Sequence, residues 1–218
     1  MEEKQEMTLV KKAGVFDSIA TFEDAQRMVK PLSTSQLIPD QFRGRIDDCL
    51  IALEISHRIG VTPLTVLQNI YIVHGKPSWS SQFLISLVNA SGYFATPLRY
   101  KMIGEPQTDS WGCIAWVKDK DGEVLEGPAV TILMAKSEGW MSKAGSKWKT
   151  MPEVMLRYRA AALFTRFFAP EIAMGLKTRE EIIDIETLPA SRFENPLDGQ
   201  PVDVPPPVPQ EIKEEEVA

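Results

Sequence analysis

At 218 residues, with 44% apolar content and a net charge of −6, the chain has room for one domain of ordinary size and enough apolar material for a real core. Its two cysteines, Cys49 and Cys113, lie far apart with no His or Cys at ligand spacing, which argues against a disulfide scaffold and a zinc site and for buried free thiols. The first residues, MEEKQEMTLVKKAG, hold no apolar run of signal-peptide length, and no segment reaches the roughly 18 apolar residues needed to cross a bilayer, so a cytoplasmic protein away from membranes is expected.

Residues 1–20 read as a flexible leader. Thr21 then offers a hydroxyl cap ahead of Glu23 and Asp24, predicting a short helix that ends at Pro31. Phe42, Ile46, Cys49, Leu50, Leu53 and Ile59 recur at steps of three and four, which predicts one long amphipathic helix over 40–59, stopped by Gly60. Thr62 and Pro63 start a further turn or two through Leu67. Ile70 to Val73 are β-branched and aromatic, His74-Gly75-Lys76-Pro77 punctuates, and Trp79 begins a return leg; a small hairpin follows. Ser80 or Ser81 caps a helix with Phe83, Leu84, Leu87 and Val88 on one stripe, closed by Gly92.

Strand-like runs over 97–103, 111–118 and 122–127 come next, the last two joined by Asp119-Lys120-Asp121-Gly122, a tight-turn signal. Residues 130–136 form a short helix or turn. Met151-Pro152-Glu153 opens a helix reaching about Phe168, and Thr178 with Glu181 makes a capping box at the start of a last helix over 178–186. The fold class expected is α+β: a small antiparallel three-stranded sheet plus a β-hairpin, packed with several helices. Residues 21–187 make the core, and 188–218, with two basic against eleven acidic groups over 180–218 and the run PVDVPPPVPQ, read as a disordered Pro-rich acidic tail. That tail is either a solubilising end, a contact for a partner protein, or an anionic competitor for the chain's own basic site.

Over 136–179 the charge changes sign. Nine cations face three carboxylates there, a surplus of +6 in a chain of net −6, the footprint expected of a polyanion site. Lys136, Lys143, Lys147 and Lys149 lie on or beside a Gly/Ser/Lys loop that also holds Trp140 and Trp148; the two indoles either stack bases or pack in a core or a subunit contact. On a wheel of the helix over 152–168, Arg159 and Arg166 fall about 20° apart, flanked by Met155 and Ala162, an unpaired arginine stripe, while Arg157 sits beside Glu153. The candidate DNA-binding residues are therefore Lys136, Lys143, Lys147, Trp148, Lys149, Arg159 and Arg166. The loop between Gly139 and Lys147 lacks Gly-Lys-Ser/Thr, so no phosphate cradle, and no cofactor, is read from it. His57 and His74 are too isolated for a metal or triad argument.

These residues carry a resemblance. The stretches GKPSWSSQFLISLVNASGYF, KAGSKWKTMPEVMLRYRAAALFTRFFAPEIAMG and TREEIID resemble the RecT family of phage and prophage single-strand annealing proteins over roughly residues 42–184, and more distantly the Red beta type. The most specific element runs from Trp148 through Lys149, Thr150, Met151, Pro152 and Glu153 to Met155, Arg157, Arg159, Ala160 and Ala161. The resemblance implies a recombinase that anneals complementary single-stranded DNA without ATP, is not an enzyme with a hydrolytic site, and assembles as a homo-oligomeric ring or helical filament. It further implies contacts with annealed duplex DNA and with host single-strand-binding protein or a partner exonuclease; the longer C-terminal segment many members use for recruitment is replaced here by the acidic tail. Two other classes compete: a non-annealing single-strand binder, normally a five-stranded OB barrel, and a metal-dependent DNA-processing enzyme, which would need close carboxylates where only Asp119, Asp121 and Glu123 at a turn and Glu105 and Asp109 in a loop are found.

Overall fold

The computed structural model describes residues 14–73 and 75–185; the readings made for the leader before residue 14, for His74 and for the tail fall outside the described residues. The first helix, α1 (Ile19–Ser33), starts earlier than expected. Ser18 is its cap, accepting from the Thr21 amide, while the Thr21 hydroxyl accepts from the Ser18 amide, so Thr21 is the reciprocal partner of a capping box rather than the cap. The helix also runs two residues past Pro31.

The single helix expected over 40–59 is two pieces. A 3-10 turn at Asp40–Phe42 is followed by α2 (Ile46–Ile59). Gly44 between them has φ +76°, a left-handed conformation that ends a right-handed helix, and its amide donates to the Ser33 carbonyl at the end of α1 (2.9 Å). Gly60 closes α2 as expected, also left-handed, and Thr62 caps α3 (Pro63–Asn69). Strands β1 (Ile70–Val73) and β2 (Lys76–Trp79) form the expected hairpin, with Ile70 opposite Trp79, and the Ser80 hydroxyl caps α4 (Ser81–Ala90) by accepting from the Phe83 amide.

The main sheet has four strands where three were expected. β3 (Arg99–Ile103), β4 (Gly112–Lys118) and β5 (Val124–Glu126) pair antiparallel in that order, and β6 (Val130–Thr131) adds to Gly112 and Cys113 of β4. Two residues are too short to show a period of two, which is why β6 is invisible in the sequence. Among the described residues the remaining elements are helical: α5 (Ile132–Ser137), α6 (Lys147–Thr150), α7 (Pro152–Phe168), α8 (Pro170–Ala173) and α9 (Arg179–Ile185). The class is α+β.

Among the described residues two large apolar clusters fill the interior, with a small third one of Leu84, Ala162 and Ala173. One joins α1, α2, α3, the hairpin and Phe83 and Leu87 of α4. The other packs Cys113, Ala115 and Val117 of β4 against Leu156, Ala160 and Phe164 of α7, with Val88 at the far end of α4. Helix α4 thus contributes to both. Both cysteines are buried and free, and burial pushes the Cys113 thiol up to about 11, so it stays an inert thiol at neutral pH.

The short strand β6 explains a glycine. A Cβ at Gly112 would lie 2.5 Å from the Val130 carbonyl oxygen, a backbone atom that cannot move without opening the β4–β6 pair. Gly112→Ala is expected to destabilise the fold by about 1–3 kcal/mol, read as a lower urea midpoint; an unchanged midpoint would show that β6 peels away freely.

Candidate nucleic-acid interface

The arginine stripe of α7 turns inward at Arg159 and stays half exposed at Arg166. Arg159 is only 5% exposed; its guanidinium is ion-paired with Asp184 and lies 3.5 Å from Glu181, both carboxylates buried and both on α9. Arg166 is half exposed and reaches the same Glu181 at 2.5 Å. A guanidinium can be withdrawn from water only where carboxylates meet it. Residues 181 and 184 are three apart on a helix and so share a face. Glu181 has a second duty: its other oxygen accepts from the Thr178 amide (2.9 Å) and hydroxyl (3.2 Å), completing the expected capping box.

Trp148 is 1% exposed, and its indole N–H donates to Asp184 at 2.9 Å. The ring of Trp140 lies 5.1 Å from that of Trp148, and the Arg159 guanidinium sits 4.0 Å over Trp140. The contacts close on themselves: Arg159 to Asp184, Asp184 to Trp148, Trp148 to Trp140, Trp140 back to Arg159. Burial pushes the Asp184 carboxyl up from its ordinary value, while the Trp148 N–H and the Arg159 charge pull the other way. Arg159 and Trp148 therefore do not present themselves to DNA, and Trp140, also buried, is a packing residue. The arginine stripe is paired, by acids from a helix later in the chain. Arg157 pairs with Glu153 (2.5 Å) as expected.

The lysines behave differently. Lys136 is exposed and bound to Asp109 at 2.5 Å. Lys143 donates to the Ile183 carbonyl near the C-terminal end of α9, where a cation suits the helix dipole. Lys147 and Lys149 are exposed on either side of Trp148; because Trp148 is tied to Asp184, all three lysines gather about that end of α9. At its other end stand Lys177 and Arg179, both exposed, with the Arg179 guanidinium 4.7 Å from the ring centre of Tyr71 on β1. The segment is held there by the hairpin: the Trp79 amide donates to the Lys177 carbonyl at 3.0 Å, Trp79 bridges Thr178, and the Trp79 indole donates to Ala173.

The acidic side chains of α9 are each held by other partners, although Asp184 also feels the charge of Lys143. Glu180 accepts from the Ser81 amide and hydroxyl (3.2 and 2.6 Å), and Glu181 and Asp184 are buried as described. Among the described residues no carboxylate forms an ion pair with Lys147, Lys149, Lys177 or Arg179. The seven residues of α9 span about 10 Å, so the two groups of cations lie within reach of one short stretch of strand. Phosphates neutralised by such a row are held with little regard to sequence. Lys177 and Arg179 belong to the basic run, yet their place beside Tyr71 has no local signature, since Tyr71 lies far earlier in the chain. Among the described residues no group of three His, Cys, Asp or Glu side chains could hold a metal ion, and no single helix is long and apolar enough to cross a membrane.

No protein-family model matches the chain, and neither a curated protein nor a solved structure resembles it at a significant level.

The buried cluster predicts an ordered pair of stabilities. Arg159→Met leaves the buried Asp184 without an arginine and Glu181 with Arg166 alone, and should cost about 3–5 kcal/mol. Asp184→Asn keeps an acceptor for the Trp148 indole and leaves Glu181 to balance Arg159, so it should cost about 1–3 kcal/mol. Urea denaturation of both variants checks the order; equal and small losses would mean that the cluster does not hold α9 in place.

Proposed function

We propose that this protein binds single-stranded DNA and anneals complementary strands without nucleotide triphosphate, as the resemblance to RecT annealing proteins implies. The observation that carries the reading is the sorting of charge around α9: its carboxylates serve the interior while Lys143, Lys147, Lys149, Lys177 and Arg179 ring its two ends on the surface. The residues behind the resemblance support it from another side. Trp148, Met155, Arg159, Ala160, Ala161, Glu181 and Asp184 are buried while Lys149, Thr150, Met151 and Glu153 are exposed, so the shared motifs combine contacts that shape the core with surface positions beside the lysines.

Annealing is downhill for DNA but slow, because two polyanions repel and single strands fold on themselves. Cations that bind phosphates release counterions and lower that repulsion. The bases stay free to pair. One protomer holds few phosphates, so the reading includes assembly of copies along the strand as a ring or filament, where cooperativity replaces affinity per protomer. Duplex product is the second DNA ligand, and host single-strand-binding protein or a partner exonuclease are the protein partners the family resemblance suggests. The setting is the cytoplasm of a bacterial or phage-infected cell, and no hydrolytic step is invoked.

The test is annealing of complementary labelled oligonucleotides followed by fluorescence quenching in the absence of ATP. The protein is expected to accelerate it, and binding should weaken steeply with salt. Lys147→Ala, Lys149→Ala, Lys177→Ala and Arg179→Ala should each reduce the salt slope by about one while changing stability by less than about 0.5 kcal/mol. Equal annealing rates with and without protein would overturn the proposal; intact binding in all four variants would move the site off α9.

A further inference from the structure

We infer that the face of the main sheet centred on Trp116, which no described helix covers, is a second contact surface for single-stranded nucleic acid, separate from the cations around α9; the inference rests on the reading of the protein as a strand binder. Side chains alternate across a strand. Cys113, Ala115 and Val117 point to α7 and are fully buried, so Ile114, Trp116 and Lys118 point to the other side. Neither Ile114 nor Trp116 belongs to an apolar cluster of the interior. The register places Arg99 of β3 directly opposite Trp116, with Glu126 of β5 on its other flank, and Lys101 opposite Ile114.

The result is an indole in the middle of a sheet with three cations on the same face. Directly opposed residues stand about 5 Å apart and residues two apart on a strand about 7 Å, so Arg99, Lys101 and Lys118 all lie around one ring. The carboxylate on this face, Glu126, is held by Lys101 across β4 at 3.6 Å, which leaves Arg99 and Lys118 as the surplus. Asp119 at the hairpin end accepts from the Asp121 and Glu123 amides, and Asp121 and Glu123 stand at that same end. A polyanion therefore runs over Trp116 towards Arg99 and the β3 edge, away from the turn. A flat indole beside cations that pair with no carboxylate among the described residues suits a base stacked on the ring with its phosphate on an arginine or lysine, and an annealing protein needs a place for a strand beyond the one it already holds.

The experiment uses the full chain and a labelled oligothymidylate at low salt, with anisotropy for affinity and sedimentation velocity for assembly. Trp116→Ala is expected to weaken binding about tenfold with sedimentation unchanged, and Trp116→Phe, which keeps a stacking ring, to restore most of it. Arg99→Glu with Lys118→Glu leaves the apolar face intact and is expected to weaken binding by a similar factor. If the wild type binds and anneals while all these variants bind equally well, the inference fails and the proposed function stands. Unchanged affinity with altered sedimentation would make the face a contact between copies and overturn it too. A wild type that does not bind oligothymidylate overturns both.

Discussion

The structure depends on a buried guanidinium. Arg159 projects from the longest helix into an apolar interior, and an uncompensated charge there would cost several kcal/mol. Compensation arrives from α9, whose Glu181 and Asp184 share one face, and from the ring of Trp140. Satisfying Arg159 therefore fixes where α9 lies, and Asp184 in turn fixes Trp148 and the lysine-rich segment around it. The residues leading into α9 are tied to the hairpin through Trp79, which belongs to the other apolar cluster. One ionic cluster thus couples the helical half of the core to the sheet half, with α4 running between them.

That arrangement also sorts the charges. An acidic chain can present a basic surface only if the carboxylates near it are occupied elsewhere. Glu180 receives the start of α4, Glu181 caps its own helix while binding two arginines, and Asp184 binds an arginine and an indole. What α9 itself turns to solvent is Arg179, Ile183 and Ile185, and the lysines lie around its ends. The same interactions that stabilise the core produce the candidate site, so stability and binding share a cause without sharing residues.

The parts of this fold that were legible in the sequence are those governed by local rules. The hairpin, the start of α4, the turn at Asp119, the start and extent of α7 and the capping box at Thr178 follow from turn chemistry, periodicity and caps within a few residues of each other. The break at Gly44 was missed because a regular apolar period runs across it, and β6 because two residues carry no period. The site was misread where the deciding partner is distant. Arg159 looks unpaired along its own helix because its acids arrive from another helix, yet a signal was present: its neighbours on the wheel, Met155 and Ala162, are core residues, and a stripe between them faces inward. Tyr71 could not be joined to Arg179 without the topology that sets β1 beside α9.

The division between arginine and lysine follows from their chemistry. Guanidinium is planar, weakly hydrated and suited to carboxylate forks, whereas ammonium is a compact, strongly hydrated point charge on a flexible stem. In this chain Arg157, Arg159 and Arg166 each bind a carboxylate, and the surface around α9 is left mainly to lysines. A reading that weighs all nine cations of the basic stretch alike assigns the structural ones to the ligand. On the proposed reading, lysines that hold phosphates without a fixed geometry would keep a strand close yet let it shift register, the freedom that a search for complementary bases requires. Arg179 differs in resting on Tyr71, where the ring limits its motion; on the proposed reading it is the cation of the group suited to hold a nucleotide in a set orientation while the lysines hold the backbone loosely.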